Sequence, residues 1–300
     1  MTASSPRLAL SQSYGPADRT ESIAVLNRLV ERNATFIDTA DIYGQNGHNE
    51  SLIGDWLKES GLRNKVFLCT KFGFKSLDPI VVCGSKEYVK EACDASLKRL
   101  QVDSIDLYYQ HRADPNTPIE ETVSAMAELF KEGKAHKTHP IAAVQVEYSP
   151  WTTDIEHNGV LATCNELGIT IVAFSPLGRG FLTGQYKSVE DFDPTDSRRF
   201  MPRFQGEAFA QNLKLVDSLQ EISTKKGITL TQLTLAWVAQ QGPNVIPIPG
   251  TKKVSRLDEN LGAIGVVLTE EENASVRAVI DSIPAIGERY APKFLALSNI

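Results

Sequence analysis

An α/β fold of parallel βα units is predicted by three observations. Short apolar runs alternate with segments of helical pattern in steps of the length expected for strand, helix, strand, helix on a parallel sheet. Three successive runs, 35–37, 66–70 and 105–110, end directly in chemistry-bearing side chains: Asp38, Lys71 and His111. The chain has 300 residues, a comfortable length for one closed barrel of about 250 residues plus loops. The predicted architecture is a (β/α)8 TIM barrel forming a single domain over residues 1–300, with all strand C-terminal ends converging on one mouth.

Each element follows from local pattern. Pro16 to Arg32 carries Ile23, Leu26, Leu29 and Val30 on one face with charged residues opposite, which predicts a helix. Phe36 and Ile37 form a buried strand that leaves the core at Asp38. Asn49 to Lys58 repeats the helical pattern through Leu52, Ile53, Trp56 and Leu57, and Gly61 ends it. Strand 65–70 follows, then a loop from Lys75 to Gly84. Ser85 is an N-cap for a helix through Leu100, whose apolar side includes Val89, Ala92, Ala95 and Leu97. After strand 105–110, Pro118 opens a helix to about Glu132, at the position where its missing N–H is harmless.

There the alternation breaks. Residues 133–140 lead straight into the apolar run Ile141 to Tyr148, and a unit of about 15 residues is absent by the usual length of a strand and helix. A closed barrel ties strand number to tilt and shear, so unpaired edges are expected. Beyond the gap come strand 142–148, a helix near Gly159 to Leu167 and strand Thr170 to Ser175. The loop Gly178 to Gly206 holds Arg179, Lys187, Arg198, Arg199 and Arg203; loops this long are usually functional or mobile. Helices at about Glu207 to Lys225 and Thr231 to Gln241 precede strand Val245 to Pro249. The pattern Thr269-x-x-Glu272 is a capping box for a last helix to about Ile283.

Composition narrows the function classes. With 42% hydrophobic and 23% charged residues and a net charge of −6, the chain suits neither nucleic acid nor an anionic membrane as partner. Cys69, Cys83, Cys93 and Cys164 lack any zinc spacing and read as reduced thiols. His48, His136, His139 and His157 show none either, so no metal is expected. No run of about 18 apolar residues exists, and Met-Thr-Ala-Ser-Ser-Pro lacks the apolar core of a signal peptide, so a cytoplasmic location is expected. Oligomeric state is not legible.

Asp38 sits where a strand leaves the core, and a carboxylate there needs a positive partner. Lys71 is the candidate. A phenol ionises near pH ~10 in water and is a poor acid at neutrality, but an ammonium beside it stabilises the phenolate. Tyr43, on the loop after Asp38, then becomes a usable general acid. Asp38 holds Lys71 charged and in place, and His111 orients a carbonyl oxygen. The four together describe a site that protonates a carbonyl oxygen while a hydride arrives from elsewhere. Asp41 reads as a loop ligand to backbone.

Five motifs stand in one order: Asp-Thr-Ala-x-x-Tyr-Gly from Asp38, Thr-Lys-Phe-Gly from Thr70, Gln-His-Arg from Gln110, Phe-Ser-Pro-Leu-Gly-Arg-Gly from Phe174, and Ile-Pro-Gly-Thr-Lys from Ile248. From about Ser11 to about Pro292 the chain resembles the aldo-keto reductases, most nearly the NADPH-dependent branch with fungal and plant enzymes and, more distantly, the potassium-channel beta subunits. The resemblance implies a catalytic tetrad of Asp38, Tyr43, Lys71 and His111 and reduction of an aldehyde or ketone to an alcohol. It implies that the absent unit is the fifth, and that the Gly-rich first strand is reduced to Arg7-Leu8-Ala9-Leu10. No Gly-x-Gly-x-x-Gly occurs, so a Rossmann site is excluded; the family binds NADPH on the barrel mouth. By resemblance, Gln145 holds the nicotinamide carboxamide, and Phe174 stacks on the ring. Ser175, Leu177 and Gly178 approach the pyrophosphate. Gly250, Thr251, Lys252, Arg256, Glu259 and Asn260 take the adenosine end, where Lys252 and Arg256 favour a 2′-phosphate and hence NADP over NAD. The missing unit would have shared the carboxamide with Gln145. Two alternatives stay open: an NADPH-binding regulatory subunit, and an inactive truncated variant. Trp151 and Tyr290 are expected to line the substrate pocket.

Overall fold

The computed structural model describes residues 17–136, 141–290 and 295. Two compact units divide the chain. In the first, Ala17–Ala142, helix α1 (Arg19–Glu31) starts where the Asp18 side chain accepts the Glu21 N–H, and buries Val25, Leu26 and Leu29. Strand β1 (Phe36–Asp38), helix α2 (His48–Ser60) and strand β2 (Phe67–Phe72) follow. The hairpin β3 (Phe74–Leu77) and β4 (Ile80–Val82) leads to α3 (Lys86–Leu100), β5 (Leu107–Gln110) and α4 (Ile119–Lys131). Strands β1, β2 and β5 form one parallel sheet in the order β1-β2-β5. Its register sets Asp38 opposite Cys69 and Lys71 opposite Tyr109.

The hairpin corrects the expected loop from Lys75 to Gly84. Ile80-Val81-Val82 is a β-branched run, and it pairs antiparallel with Phe74–Leu77. Strands of four and three residues are too short for an alternating pattern to declare itself.

At the gap, α4 is followed by one parallel bridge, Ile105 to Ala135. The Ile105 N–H donates to the Lys134 carbonyl (3.0 Å) and the His136 N–H to the Ile105 carbonyl (2.8 Å). Among the described residues no further strand or helix stands between α4 and the strand that starts at Ala143, as the sequence indicates. The expected first strand, Arg7 to Leu10, lies outside the described residues.

The second unit comprises, from Ala143 onward, β6 (Ala143–Glu147), α5 (Val160–Leu167), β7 (Thr170–Phe174), α6 (Gly206–Lys226), α7 (Leu230–Ala239), β8 (Val245–Ile248), α8 (Val254–Gly262) and α9 (Glu270–Ser282). Its sheet is parallel in the order β6-β7-β8, with Gln145 opposite Val172 and Phe174 opposite both Glu147 and Ile248. The capping box at Thr269 and Glu272 is present with both bonds made. Trp151 stacks on Phe181 at 4.4 Å and meets Phe204 edge-on. It belongs to the buried core of this unit. The long loop is likewise an organised layer: Phe181, Phe192 and Phe204 enter the core, and Arg179, Arg198 and Arg203 are buried with them.

Cys69, Cys93 and Cys164 are buried free thiols. Burial pushes the Cys69 and Cys164 thiols up, and takes Cys93 to about 12. No helix among the described residues is long and apolar enough to cross a membrane.

Helices α2 and α3 approach closely at Gly54, where an added Cβ would lie 2.3 Å from the Arg99 carbonyl oxygen and 2.7 Å from the Leu100 carbonyl carbon. Backbone cannot yield as a flexible side chain does. Gly54→Ala is therefore expected to lower stability by about 1–3 kcal/mol, read as an earlier midpoint in urea unfolding.

Candidate active site

Neighbouring residues of a strand point to opposite faces, and the ends of β1 and β2 use both. Asp38 and Lys71 meet on one face: Lys71 Nζ donates to Asp38 Oδ1 at 2.5 Å and to the Thr39 carbonyl at 2.6 Å. Both side chains are buried, Lys71 at 1% exposure and Asp38 at 0%. An ammonium or carboxylate alone at such depth costs several kcal/mol, so each ion is tolerable because the other is there.

The chain then turns back on itself. The Asp41 N–H donates to the Lys71 carbonyl (3.1 Å), and the Tyr43 N–H to the Ala40 carbonyl (3.1 Å). This turn brings Tyr43 Oη to 3.5 Å from Lys71 Nζ. A hydrogen bond of that length is weak, but the electrostatics is not: an ammonium and a phenolate 3.5 Å apart attract by about 5 kcal/mol at an effective dielectric of about 20. The opposing charge of Asp38 reduces this. His111 directly follows β5, its N–H donating to the Phe72 carbonyl (2.6 Å). Its ring stands edge-on to Tyr43 (5.8 Å) and to Phe74 (5.3 Å). The four residues predicted from separate segments thus form one cluster within the first unit.

Asp41 meets backbone as expected, through the Ile42 N–H, but only with part of its carboxylate. Its Oδ1 is buried without a hydrogen-bond partner among the described residues. Burial first, then the Glu50 carboxylate, push its carboxyl up to about 7, against Arg99, the Ile42 N–H and Lys71. The group hovers between acid and carboxylate at neutral pH.

Asn49, Glu50 and Arg99 were not identified by sequence reasoning. The Thr39 hydroxyl donates to Asn49 Oδ1 (2.8 Å), the Thr70 hydroxyl to Glu50 Oε1 (2.6 Å), and Arg99 Nε to Glu50 Oε2 (2.6 Å). The available signal was Glu50 itself, which shares a helical stripe with Ile53 and Leu57, a carboxylate on an apolar face.

The expected cofactor residues gather within the second unit. Gln145 lies on β6 and Phe174 at the end of β7, their strands directly paired. Ser175 and Gly178 both have positive φ, 49° and 54°, so the backbone coils tightly just past the strand. Leu177 is buried between them in sequence. Gly250 and Thr251 follow β8, with the Thr251 hydroxyl accepting the Lys253 N–H at 3.1 Å. Lys253 caps α8 without a side-chain hydrogen bond, which leaves first-turn N–H groups for another acceptor. Burial pulls Lys252 down. Arg256 donates to Gln185 Oε1 (2.9 Å). Glu259 and Asn260 lie in the same helix, Asn260 buried.

Glu147, two residues past Gln145, is a buried acceptor that the sequence did not single out. It takes Arg179 Nη2 at 3.2 Å and the Tyr290 hydroxyl at 3.3 Å. Arg203 donates to the Trp151 and Gly287 carbonyls, both at 3.0 Å, and burial takes it down to about 10 despite Glu147 nearby.

An ion-paired lysine beside a tyrosine and a histidine stands at the C-terminal ends of parallel strands, where α/β folds place their chemistry. Comparison with known proteins agrees. The aldo/keto reductase family profile matches residues 8–281. An aldo-keto reductase of Strobilurus tenacellus, str7, is 49% identical over 95% of this chain and 89% of its own length. One of Schizosaccharomyces pombe, yakc [NADP(+)], is 42% identical over 95% and 90%. A glycerol dehydrogenase from Gluconobacter oxydans superposes with a TM-score of 0.81 at 25% identity, covering 95% of this chain and 92% of that one. The chain belongs to the aldo/keto reductase family of oxidoreductases. Family and neighbour imply a (β/α)8 barrel, here seen as two open three-stranded parallel sheets among the described residues.

Two predictions follow from the electrostatics. A carboxyl held at about 7 binds its proton more tightly folded than unfolded, so its contribution is fully present below the unfolded pKa near ~3.9 and is lost as pH rises through about 7. Relative to Asp41→Asn, the wild type should lose stability between pH ~4 and ~7, by no more than about 1.4 kcal/mol per pH unit, measured by urea unfolding at each pH. Asp38→Ala, which strands the Lys71 ammonium, should cost about 3–5 kcal/mol in the same assay.

Proposed function

We propose that this chain is an NADPH-dependent reductase of aldehydes and ketones, working as one barrel domain over residues 1–300. A single observation carries the reading: a buried Asp38–Lys71 ion pair whose ammonium lies 3.5 Å from Tyr43 Oη. Membership of the aldo/keto reductase family supports it.

Tyr43 Oη donates the proton to the carbonyl oxygen of the substrate, and Lys71 stabilises the negative charge left on the phenol oxygen. Asp38 keeps Lys71 charged and aimed. His111, edge-on to Tyr43, donates a hydrogen bond to the same carbonyl oxygen and orients it. The cofactor, when bound, supplies the hydride.

The residues of the second unit suit such a cofactor. An α8 N-terminus without a side-chain cap, flanked by Lys252 and Arg256, matches the charge of a nucleotide 2′-phosphate. Glu259 and Asn260 would take the adenosine. The coiled backbone at Ser175, Leu177 and Gly178, closed by the Gly178 N–H donating to the Ser175 carbonyl (2.8 Å), would approach the pyrophosphate, with Gln145 and Phe174 for the nicotinamide, and Gly250 and Thr251 for the adenosine end. The relative from Schizosaccharomyces pombe carries NADP(+) in its name, in line with this choice.

Tyr43→Phe should lower kcat for an activated aldehyde by about 10²–10⁴-fold while NADPH still binds, followed by quenching of tryptophan fluorescence. Turnover unchanged by that substitution would sink the reading. In the same titration the wild type should prefer NADPH over NADH, and Lys252→Ala should reduce that preference.

A further inference from the structure

We propose that Asn49 and Glu50, in the first turn of α2, are positioning residues for the proton-transfer site, holding the Asp38 and Lys71 strand ends and the Tyr43 loop in one fixed arrangement. This rests on the carbonyl-reductase reading of those residues.

The connections run through the residues next to the reacting groups. Thr39 follows Asp38, and Thr70 precedes Lys71; both threonines are wholly buried, and both hand their hydroxyl protons to α2. Asn49 accepts from Thr39 by its side chain and donates its backbone N–H to the Tyr43 carbonyl at 3.0 Å. One residue therefore ties the end of β1 to the residue that carries the phenol. Glu50 ties the end of β2 to the same helical turn and is itself anchored by Arg99 on α3, whose Nη2 also donates to Ser96 Oγ at 3.2 Å. Gly47 makes room for that anchor: a Cβ there would lie 2.5 Å from Arg99 Nε.

Stability alone does not account for a carboxylate at 0% exposure behind two strand ends. Apolar replacements of buried ion pairs are often neutral or stabilising. What the polar set supplies is direction. Each bond fixes one strand end along its length, and Lys71 Nζ reaches Asp38, Thr39 and Tyr43 together only when those ends stay in step.

The test uses near-isosteric removal of the two hydroxyls. Thr39→Val and Thr70→Val, with Thr39→Ser and Thr70→Ser as conservative partners, are crystallised and assayed in the full chain. Misplacement of about an ångström costs on the order of 10²-fold, so the Val variants should lose roughly 10- to 100-fold in kcat with the NADPH dissociation constant unchanged. The separation of Tyr43 Oη from Lys71 Nζ should lengthen, and the Ser variants should restore both. Asn49→Ala should move the Tyr43 loop in the same sense. Val variants that keep the separation and kcat, losing only thermal stability, would overturn the proposal. If the wild type turned over no aldehyde, the reductase reading would fall, while the crystallographic comparison would still decide this one.

Discussion

The first unit depends on one ion pair in a place where neither ion could stand alone. Lys71 is among the largest fully buried side chains of the described residues, and the Asp38, Thr39 and Tyr43 oxygens that meet its ammonium come from one short stretch, residues 38 to 43. Removing either charge leaves the other exposed to the full cost of desolvation, so the carboxylate, the ammonium and the turn between them form a single unit. The parallel register of β1 and β2 brings the two strand ends alongside each other, and the turn after Asp38 delivers the phenol to the ammonium.

The same logic orders the second unit with different ions. Arg198 forks onto Asp196, donates to the Arg179 carbonyl and lies over the rings of Tyr186 and Phe192. Arg203 spans from the Trp151 carbonyl to the Gly287 carbonyl. A planar guanidinium with several fixed donors can stitch loop backbone where no strand or helix satisfies it. The segment 178–206 therefore behaves as structure despite holding only short single turns.

Chemistry at strand ends was legible in the sequence because an apolar run that breaks into Asp, Lys or His is conspicuous on its own. The helices were legible for the same local reason: Ser85 and Thr269 cap them as their spacing indicates. What escaped was whatever depends on distant partners. Arg179 finds Glu147 across 32 residues and Arg203 finds Gly287 across 84, so both look like ordinary loop cations until the chain is folded. Glu50 is intermediate, since its stripe marks it as buried but cannot name Thr70 or Arg99. The β3–β4 hairpin was missed because strands of four and three residues are too short for a two-residue alternation to repeat.

Burial of the cysteines has a chemical corollary. Electrophiles, aldehydes among them, modify proteins at nucleophilic side chains. The reactive form of a cysteine is its thiolate, and Cys69, Cys93 and Cys164 are all held as protonated sulfur by their surroundings. Cys69 even sits in register with Asp38, beside the buried ion pair, yet presents no nucleophile there. Packing that secures the two sheets thereby also keeps these three thiols from acting as nucleophiles, while Cys83 is half-buried.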